Sequence, residues 1–260
     1  MGTAIITGAS RGVGRGIAMA LAGLGYDLCV TGRSALDLDQ IKSEVEKQGR
    51  HCATYICDHQ NVAATVACFE SISKTHELTL IVNNAWGGYE TMMQDGQYTW
   101  EAKFWDQSLE RWTSMMDVGV RTAFLCSKYC VQPILRNRRG AIVNISFWSA
   151  QRYMQNLIYG VSKAAIDKMT MDMAHELREY NIPAIALYPG LVRTEKVMEN
   201  AAYFDMSNSE SPEFVGLVIH GFMEDQKRLE KSGQVFTTAE LASEYRIKDI
   251  DGKTIQDIRG

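Results

Sequence analysis

The 260-residue chain holds only four prolines and no Pro/Gly/Ser-rich stretch or composition shift that would mark a linker. A second domain is therefore not expected, since this length fits one large α/β domain. Metal-ligand spacing is missing as well. The six cysteines, Cys29, Cys52, Cys57, Cys68, Cys126 and Cys130, form no C-x-x-C pair and have no flanking His at ligand distance. They read as small buried hydrophobes of a reducing, cytoplasmic setting. No apolar run reaches the roughly 18 residues of a membrane span, and the first strand is expected essentially at Met1, so neither a span nor a signal segment is anticipated. Long basic runs are lacking too. With 27 Lys and Arg against 31 Asp and Glu the net charge is −4, which argues against a nucleic acid as the main partner.

What is present is a chain that can bury a sizeable core, with 46% hydrophobic residues. Short β-rich runs, at 3–7, 27–31, 51–56, 78–83, 141–146, 183–188 and 234–237, alternate with amphipathic helical segments. Near-continuous apolar strands such as Ala4-Ile5-Ile6 and Ala141-Ile142-Val143 suit a sheet covered on both faces. The alternation predicts a single-domain, Rossmann-type doubly wound α/β fold. Its parallel seven-stranded sheet would carry helices on both faces and bind ligands at the carboxyl ends of the strands.

Tyr159 and Lys163 stand four residues apart in Tyr159-Gly-Val-Ser-Lys163, so on a helix they share one face. A phenol titrates near ~10, and a neighbouring ammonium stabilises its phenolate, which makes Tyr159 a candidate general acid/base for alcohol and carbonyl redox chemistry. The first strand runs directly into Thr7-Gly8-Ala9-Ser10-Arg11-Gly12-Val13-Gly14 and then a helix. Glycines there permit a tight turn and close backbone approach to a pyrophosphate. The second strand ends Val30-Thr31-Gly32-Arg33, with no acid until Asp37 to receive a ribose 2′-hydroxyl. Arg33 together with Arg11 would instead clamp a 2′-phosphate, so NADP(H) is expected over NAD(H).

Thr7 to Gly14, Cys57-Asp58, Asn83-Asn84-Ala85, Tyr159 to Lys163 and Pro189-Gly190-Leu191-Val192-Arg193-Thr194 occur in an order and at distances that resemble the short-chain dehydrogenase/reductase family, over the whole chain. The resemblance implies that Asp58 meets the adenine edge and that Asn84 and Ala85 line the cofactor cleft beside Gly8, Ser10, Gly12, Val13 and Gly14. It implies further that Lys163 holds the nicotinamide ribose, and that Val192 and Thr194, after Pro189 and Gly190, position the carboxamide. Trp86, Lys103-Phe104-Trp105, Asp117 to Arg121, Met173 to Arg178 and Asp249 to Lys253 resemble one branch of the dehydrogenase/reductase group.

Two positions depart from the family pattern. The pair ending the fifth strand reads Ser146-Phe147 where the family carries Ser-Ser; counting back from Tyr159 selects Ser146 for the serine that binds the reacting oxygen, with Ser149 second and neither as the third option. Gly119 stands where the family has an asparagine that organises a relay water, and glycine has no side chain for that task. The segment 86–112 carries Trp86, Tyr89, Tyr98, Trp100, Phe104 and Trp105 with Gly87, Gly88 and Gly96 as hinges, and is expected to form a substrate-facing flap. Trp86, Phe104, Phe147 and Ser149 are the expected substrate contacts. The function that follows is hydride transfer between NADP(H) and a carbonyl or secondary alcohol of an apolar small molecule. The alternatives are C=C (enoyl) reduction and a dinucleotide-binding sensor or scaffold without turnover. A homodimer or homotetramer is expected through the helical segments 109–136 and 160–180, with a divergent tail after about residue 238.

Overall fold

The computed structural model describes residues 1–259, apart from the side chain of Tyr89, which lies outside the described residues. Seven strands form one parallel sheet: β1 (Thr3–Ile6), β2 (Asp27–Gly32), β3 (Cys52–Ile56), β4 (Leu78–Asn83), β5 (Ala141–Ile145), β6 (Ala184–Tyr188) and β7 (Val235–Thr237). Their spatial order is β3-β2-β1-β4-β5-β6-β7, the Rossmann-type order expected from the alternating pattern. The chain builds β2 and β3 to one side of β1 and crosses back to place β4 on the other. That reversal opens a crevice at the carboxyl ends of β1 and β4, where Thr7-Gly8 and Asn84-Ala85 emerge.

The side-chain period of two divides the core. Ala4 and Ile6 of β1, with Leu28, Val30, Leu80, Val82 and Val143, face α1 (Gly12–Gly23), α2 (Ala35–Lys47), α6 (Pro212–Glu224) and α7 (Thr238–Tyr245). Ile5, Cys29, Ile81 and Ile142 face the opposite layer of α3 (Val62–Thr75), α4 (Thr122–Asn137) and α5 (Leu157–Glu176). Cys126 and Cys130 pack in this second core, and all six thiols are free.

Helix α4 continues a longer rod. One α-turn at Leu109–Trp112 leads into a π-helical stretch, Thr113–Arg121, which runs on into α4. The sequence predicts one uninterrupted helix here; the structure widens its ladder where Gly87 backs onto it, so closely that a Cβ on Gly87 would lie 2.9 Å from the Ser114 carbonyl oxygen. At the far end Arg138 adopts a left-handed cap (φ 48°), which places Arg136, Arg138 and Arg139 at a helix C-terminus.

The segment between β4 and this rod is anchored rather than loose. Met93–Gln94 and Gln97–Tyr98 pair as a minimal hairpin, and Asp95 and Gly96 both have positive φ (49° and 75°). That is the signature of a type I′ turn, so Gly96 is a hairpin corner and not a hinge. Arg111 is fully buried and donates to the Thr91 carbonyl (2.7 Å), the Thr99 carbonyl (2.8 Å) and the Thr99 hydroxyl (2.7 Å). Asn156 Nδ2 donates to the Trp100 carbonyl at 2.8 Å.

Helix α1, which carries the glycine loop, lies directly on α6. A Cβ on Gly16 would sit 2.2 Å from the Pro212 carbonyl carbon, and one on Gly216 would sit 2.6 Å from the Ala20 Cβ. The obstacle at Gly16 is backbone and cannot swing aside. Gly16→Ala, which helix propensity alone would make stabilising by about 1 kcal/mol, should instead destabilise by roughly 1–3 kcal/mol through overpacking, read from the denaturation midpoint.

Candidate active site

The glycine loop is shaped by contacts that leave no room for side chains. Gly8 has φ +65°, and a Cβ there would meet the Ala85 Cα at 2.9 Å; one on Gly14 would meet the Gly8 carbonyl oxygen at 2.4 Å. Thr7 Oγ1 accepts from the backbone N–H groups of Asn84 and Ala85, both at 3.0 Å. Asn84 Nδ2 in turn donates to the carbonyls of Thr7 (3.0 Å) and Gly8 (3.1 Å). These bonds staple the end of β4 to the loop and hold the first turn of α1 open toward the crevice. The cradle fits a dinucleotide pyrophosphate: bare backbone, a helix N-terminus, and no Cβ in the way.

One continuous cleft collects Gly8, Ser10, Arg11, Gly12, Val13, Gly14, Arg33, Asp58, Asn84 and Ala85 at this end. Trp86, Ser146, Phe147, Tyr159, Lys163, Pro189, Gly190, Val192 and Thr194 wall the other. Two residues named from the sequence stay outside it. Phe104 is 58% exposed and packs on Trp105, which is 68% exposed, with ring centroids 4.9 Å apart on the outer side of the segment. Arg111 and Asn156 hold the hairpin so that Trp100 points inward and Phe104 outward. Ser149 is buried behind the cleft wall, and its carbonyl backs onto Gly160.

At the reacting end, Asn156 caps α5 by accepting the Tyr159 N–H at 2.9 Å, which sets the phase of the helix and aims Tyr159 and Lys163 at the cleft. The Tyr159 ring stands in an aromatic box of Trp100 (5.2 Å between centroids), Trp86 (5.5 Å) and Phe147 (5.9 Å). Lys163 is buried; its Nζ donates to the Ile145 carbonyl at 3.2 Å and lies 5.8 Å from the centre of the Tyr159 ring and 6.0 Å from that of Trp86. Burial pulls its pKa down to about 8, opposed by the Asp167 carboxylate one turn further along α5. Ser146 donates to the Lys163 carbonyl at 3.2 Å, a bond that braces α5 against the end of β5.

Sequence reasoning missed a polar group behind this centre. Asp167 accepts from the Tyr188 hydroxyl, which also receives a bond from Gln151 Nε2 at 3.4 Å. Burial raises the Asp167 carboxyl above its ordinary range. The signal was present, since Asp167 follows Lys163 by the same four-residue step that joins Lys163 to Tyr159. Glu90 was also missed. Its Oε1 accepts from Arg11 at 3.0 Å and from Arg33, so the two arginines do converge, but on a carboxylate 57 and 79 positions away in the chain, a separation no local pattern reveals.

The loop after β6 closes the cleft from the other side. Val192 and Glu210 bridge in parallel, with Glu210 N–H donating to the Leu191 carbonyl and Arg193 N–H to the Glu210 carbonyl. Arg193 reaches the tail, pairing with Asp249 (2.9 Å) and Asp251 (3.3 Å). The Glu210 carboxyl is fully buried, accepts from Thr238 Oγ1 at 2.7 Å, and is pushed up to about 7 by burial. Among the described residues no group of His, Cys, Asp and Glu could hold a metal ion, and no helix is long and apolar enough to cross a membrane.

Residues 2–203 match the family described as short chain dehydrogenase. Human dehydrogenase/reductase SDR family member 1 is 33% identical over 268 residues, covering 97% of this chain and 84% of the human protein. Among solved structures, a Brucella melitensis 3-oxoacyl-[acyl-carrier protein] reductase in complex with NAD superposes with a TM-score of 0.79 at 24% identity, over 95% of this chain and 98% of that one. A Beutenbergia cavernae protein described as an NAD(P)-dependent gluconate 5-dehydrogenase, solved with NADP at low occupancy, gives 0.78 at 24% identity, over 92% and 95%.

The buried Glu210 gives the fold a pH signature. Its folded pKa, about 7, is raised above the ordinary 4.5, so its contribution to stability is complete below pH ~4.5 and is lost as pH rises through ~7. The unfolding free energy should fall by about 3 kcal/mol across that window, and Glu210→Gln should remove that component of the slope.

Proposed function

The chain belongs to the short-chain dehydrogenase family and is a dinucleotide-dependent oxidoreductase; from that premise we propose that it is an NADP(H)-dependent carbonyl reductase or alcohol dehydrogenase acting on apolar, fairly bulky small molecules. The observation that carries this reading is the Tyr159 phenol, boxed by three aromatic rings with the buried Lys163 ammonium nearby, at the end of the cleft away from the glycine cradle.

The nicotinamide, when bound, supplies or receives the hydride. In reduction, Tyr159 gives its hydroxyl proton to the carbonyl oxygen as the carbon gains the hydride; in oxidation it takes the alcohol proton. Lys163 holds the phenolate through its charge, and the Ile145 carbonyl keeps that ammonium in place. Trp86 and Phe147 line the cleft, exclude water and offer apolar faces to the substrate, while the buried Trp100 packs against the Tyr159 ring. Arg11 and Arg33 favour a cofactor with a 2′-phosphate, because both guanidiniums reach one point at the adenosine end. At Gly119 a Cβ would meet the Trp86 indole at 3.7 Å, an ordinary contact, so the indole lies beside the position of the family asparagine.

One observation favours a second reading, C=C reduction. Phe147 stands in the cleft where a serine hydroxyl would bind the reacting oxygen, while Ser146 spends its proton on the Lys163 carbonyl. A panel of ketones, diketones, aldehydes, quinones and enones, followed by the loss of NADPH absorbance, separates the two. For the assembly we favour a homodimer through α4 and α5, whose outer faces leave Phe124, Leu157, Val161 and Met171 exposed.

Tyr159→Phe deletes one hydroxyl and keeps the ring packing, so kcat should drop below a tenth of wild type while NADPH affinity is nearly unchanged; a variant above that level would refute Tyr159 as the proton donor. For the substrate wall, Trp86→Ala should raise KM for a bulky apolar carbonyl without altering NADPH affinity. Phe104→Ala, outside the cleft, should leave KM where it is.

A further inference from the structure

Two carboxylates stand on the two places where the cleft would receive phosphate. Glu90, from the segment between β4 and the long rod, accepts through one oxygen from both Arg11 (3.0 Å) and Arg33. Glu195, from the loop after β6, accepts through Oε2 from the backbone N–H of Gly12 at 3.0 Å, at the opening of α1. The first contact lies where a 2′-phosphate is read, the second where a pyrophosphate docks. Both glutamates line the cleft, and both belong to segments that flank it rather than to the sheet.

We propose that Glu90 and Glu195 are resident competitors of the cofactor phosphates: Glu90 sets the selectivity between NADPH and NADH, and Glu195 sets the affinity for both. The inference rests on the NADP(H) reading above.

Charge decides the direction at Glu90. Two guanidiniums facing one carboxylate retain a net positive charge, whereas a 2′-phosphate of about −1.5 to −2 neutralises both and offers three acceptor oxygens. The contacts to be exchanged are weak ones, since Arg11, Arg33 and Glu90 are all substantially exposed and solvent screens them. NADPH therefore displaces Glu90, while NADH brings no charge to that point and leaves it in place. The displaced residue lies four positions from Trp86 and in the same 3₁₀ turn, Gly88–Thr91, whose Thr91 carbonyl is gripped by Arg111. Release of Glu90 thus reaches the segment that carries the aromatic wall. At Glu195 the exchange is with the pyrophosphate, which the two cofactors share, so its removal cannot discriminate between them.

The test is the binding of NADPH, NADH and 2′-AMP by titration calorimetry to wild type, Glu90→Gln and Glu195→Gln, isosteric changes of side chains at the cleft surface. Glu90→Gln should tighten NADPH and 2′-AMP roughly three- to tenfold and leave NADH unchanged, the scale of two exposed ion pairs. Glu195→Gln should tighten NADPH and NADH by the same factor, about two- to fivefold, and leave 2′-AMP, which has no pyrophosphate, unchanged. Amide hydrogen exchange adds a readout independent of affinity: NADP⁺, but not NAD⁺, should raise exchange across residues 88–91 of the wild type. If wild type prefers NADPH but Glu90→Gln leaves it unchanged or weaker, the competitor role is overturned while the NADP(H) reading stands. If wild type prefers NADH and Glu90→Gln weakens it, the NADP(H) reading falls and Glu90 is instead a partner of the ribose hydroxyls.

Discussion

The cleft is organised around one buried positive charge, the Lys163 ammonium. Burial of such a group is costly unless it finds acceptors and counter-charge. Here the Ile145 carbonyl takes one of its protons, two aromatic faces lie near 6 Å, and Asp167 offers a carboxylate one turn away. Each of these fixes something larger. The Ile145 carbonyl ties α5 to the end of β5, and Ser146 returns the tie by donating to the Lys163 carbonyl. The Asn156 cap sets where α5 begins, and with it the phase that brings Tyr159 and Lys163 to the same side. Displacing the ammonium would leave an acceptor, a carboxylate and a ring box without the charge that relates them.

Trp86 and Gly119 are 33 positions apart in the sequence and neighbours in space. The indole lies beside Gly119, where a Cβ would meet it at 3.7 Å, and its ring centre is 5.5 Å from that of Tyr159 and 6.0 Å from the Lys163 ammonium. A large ring lies beside bare backbone. Water is thereby removed from the neighbourhood of the lysine, which is consistent with burial as the dominant cause of its lowered pKa.

Local chemistry was legible in the sequence and long-range orientation was not. The strands could be drawn to within a residue because buried parallel strands are continuous apolar runs, and the glycine cradle and the Tyr159/Lys163 step are encoded by residues next to one another. The aromatics of the segment 86–112 were visible too, yet their number says nothing of which way each faces. That is decided by Arg111 and Asn156, whose partners lie up to 56 positions away, and they turn Trp100 in and Phe104 out. Gly96 read as a hinge because glycine permits many conformations; only the positive φ of its neighbour Asp95 identifies the hairpin corner. Arg11 and Arg33 meet at one point, but the glutamate between them comes from a different crossover of the fold.

The segment after β4 therefore has two ends with different chemistry. Glu90 touches the arginines at the adenosine end, while Trp86 and Trp100, within about a dozen residues of it, form the wall around Tyr159. The buried Arg111 grips the carbonyls of Thr91 and Thr99, so the hairpin between these points behaves as a stiff link and not as slack chain. A stiff link transmits displacement. In the reading proposed here, whatever settles on Arg11 and Arg33 also adjusts the shape of the apolar box, and cofactor recognition and substrate fit become properties of one anchored segment rather than of two separate subsites.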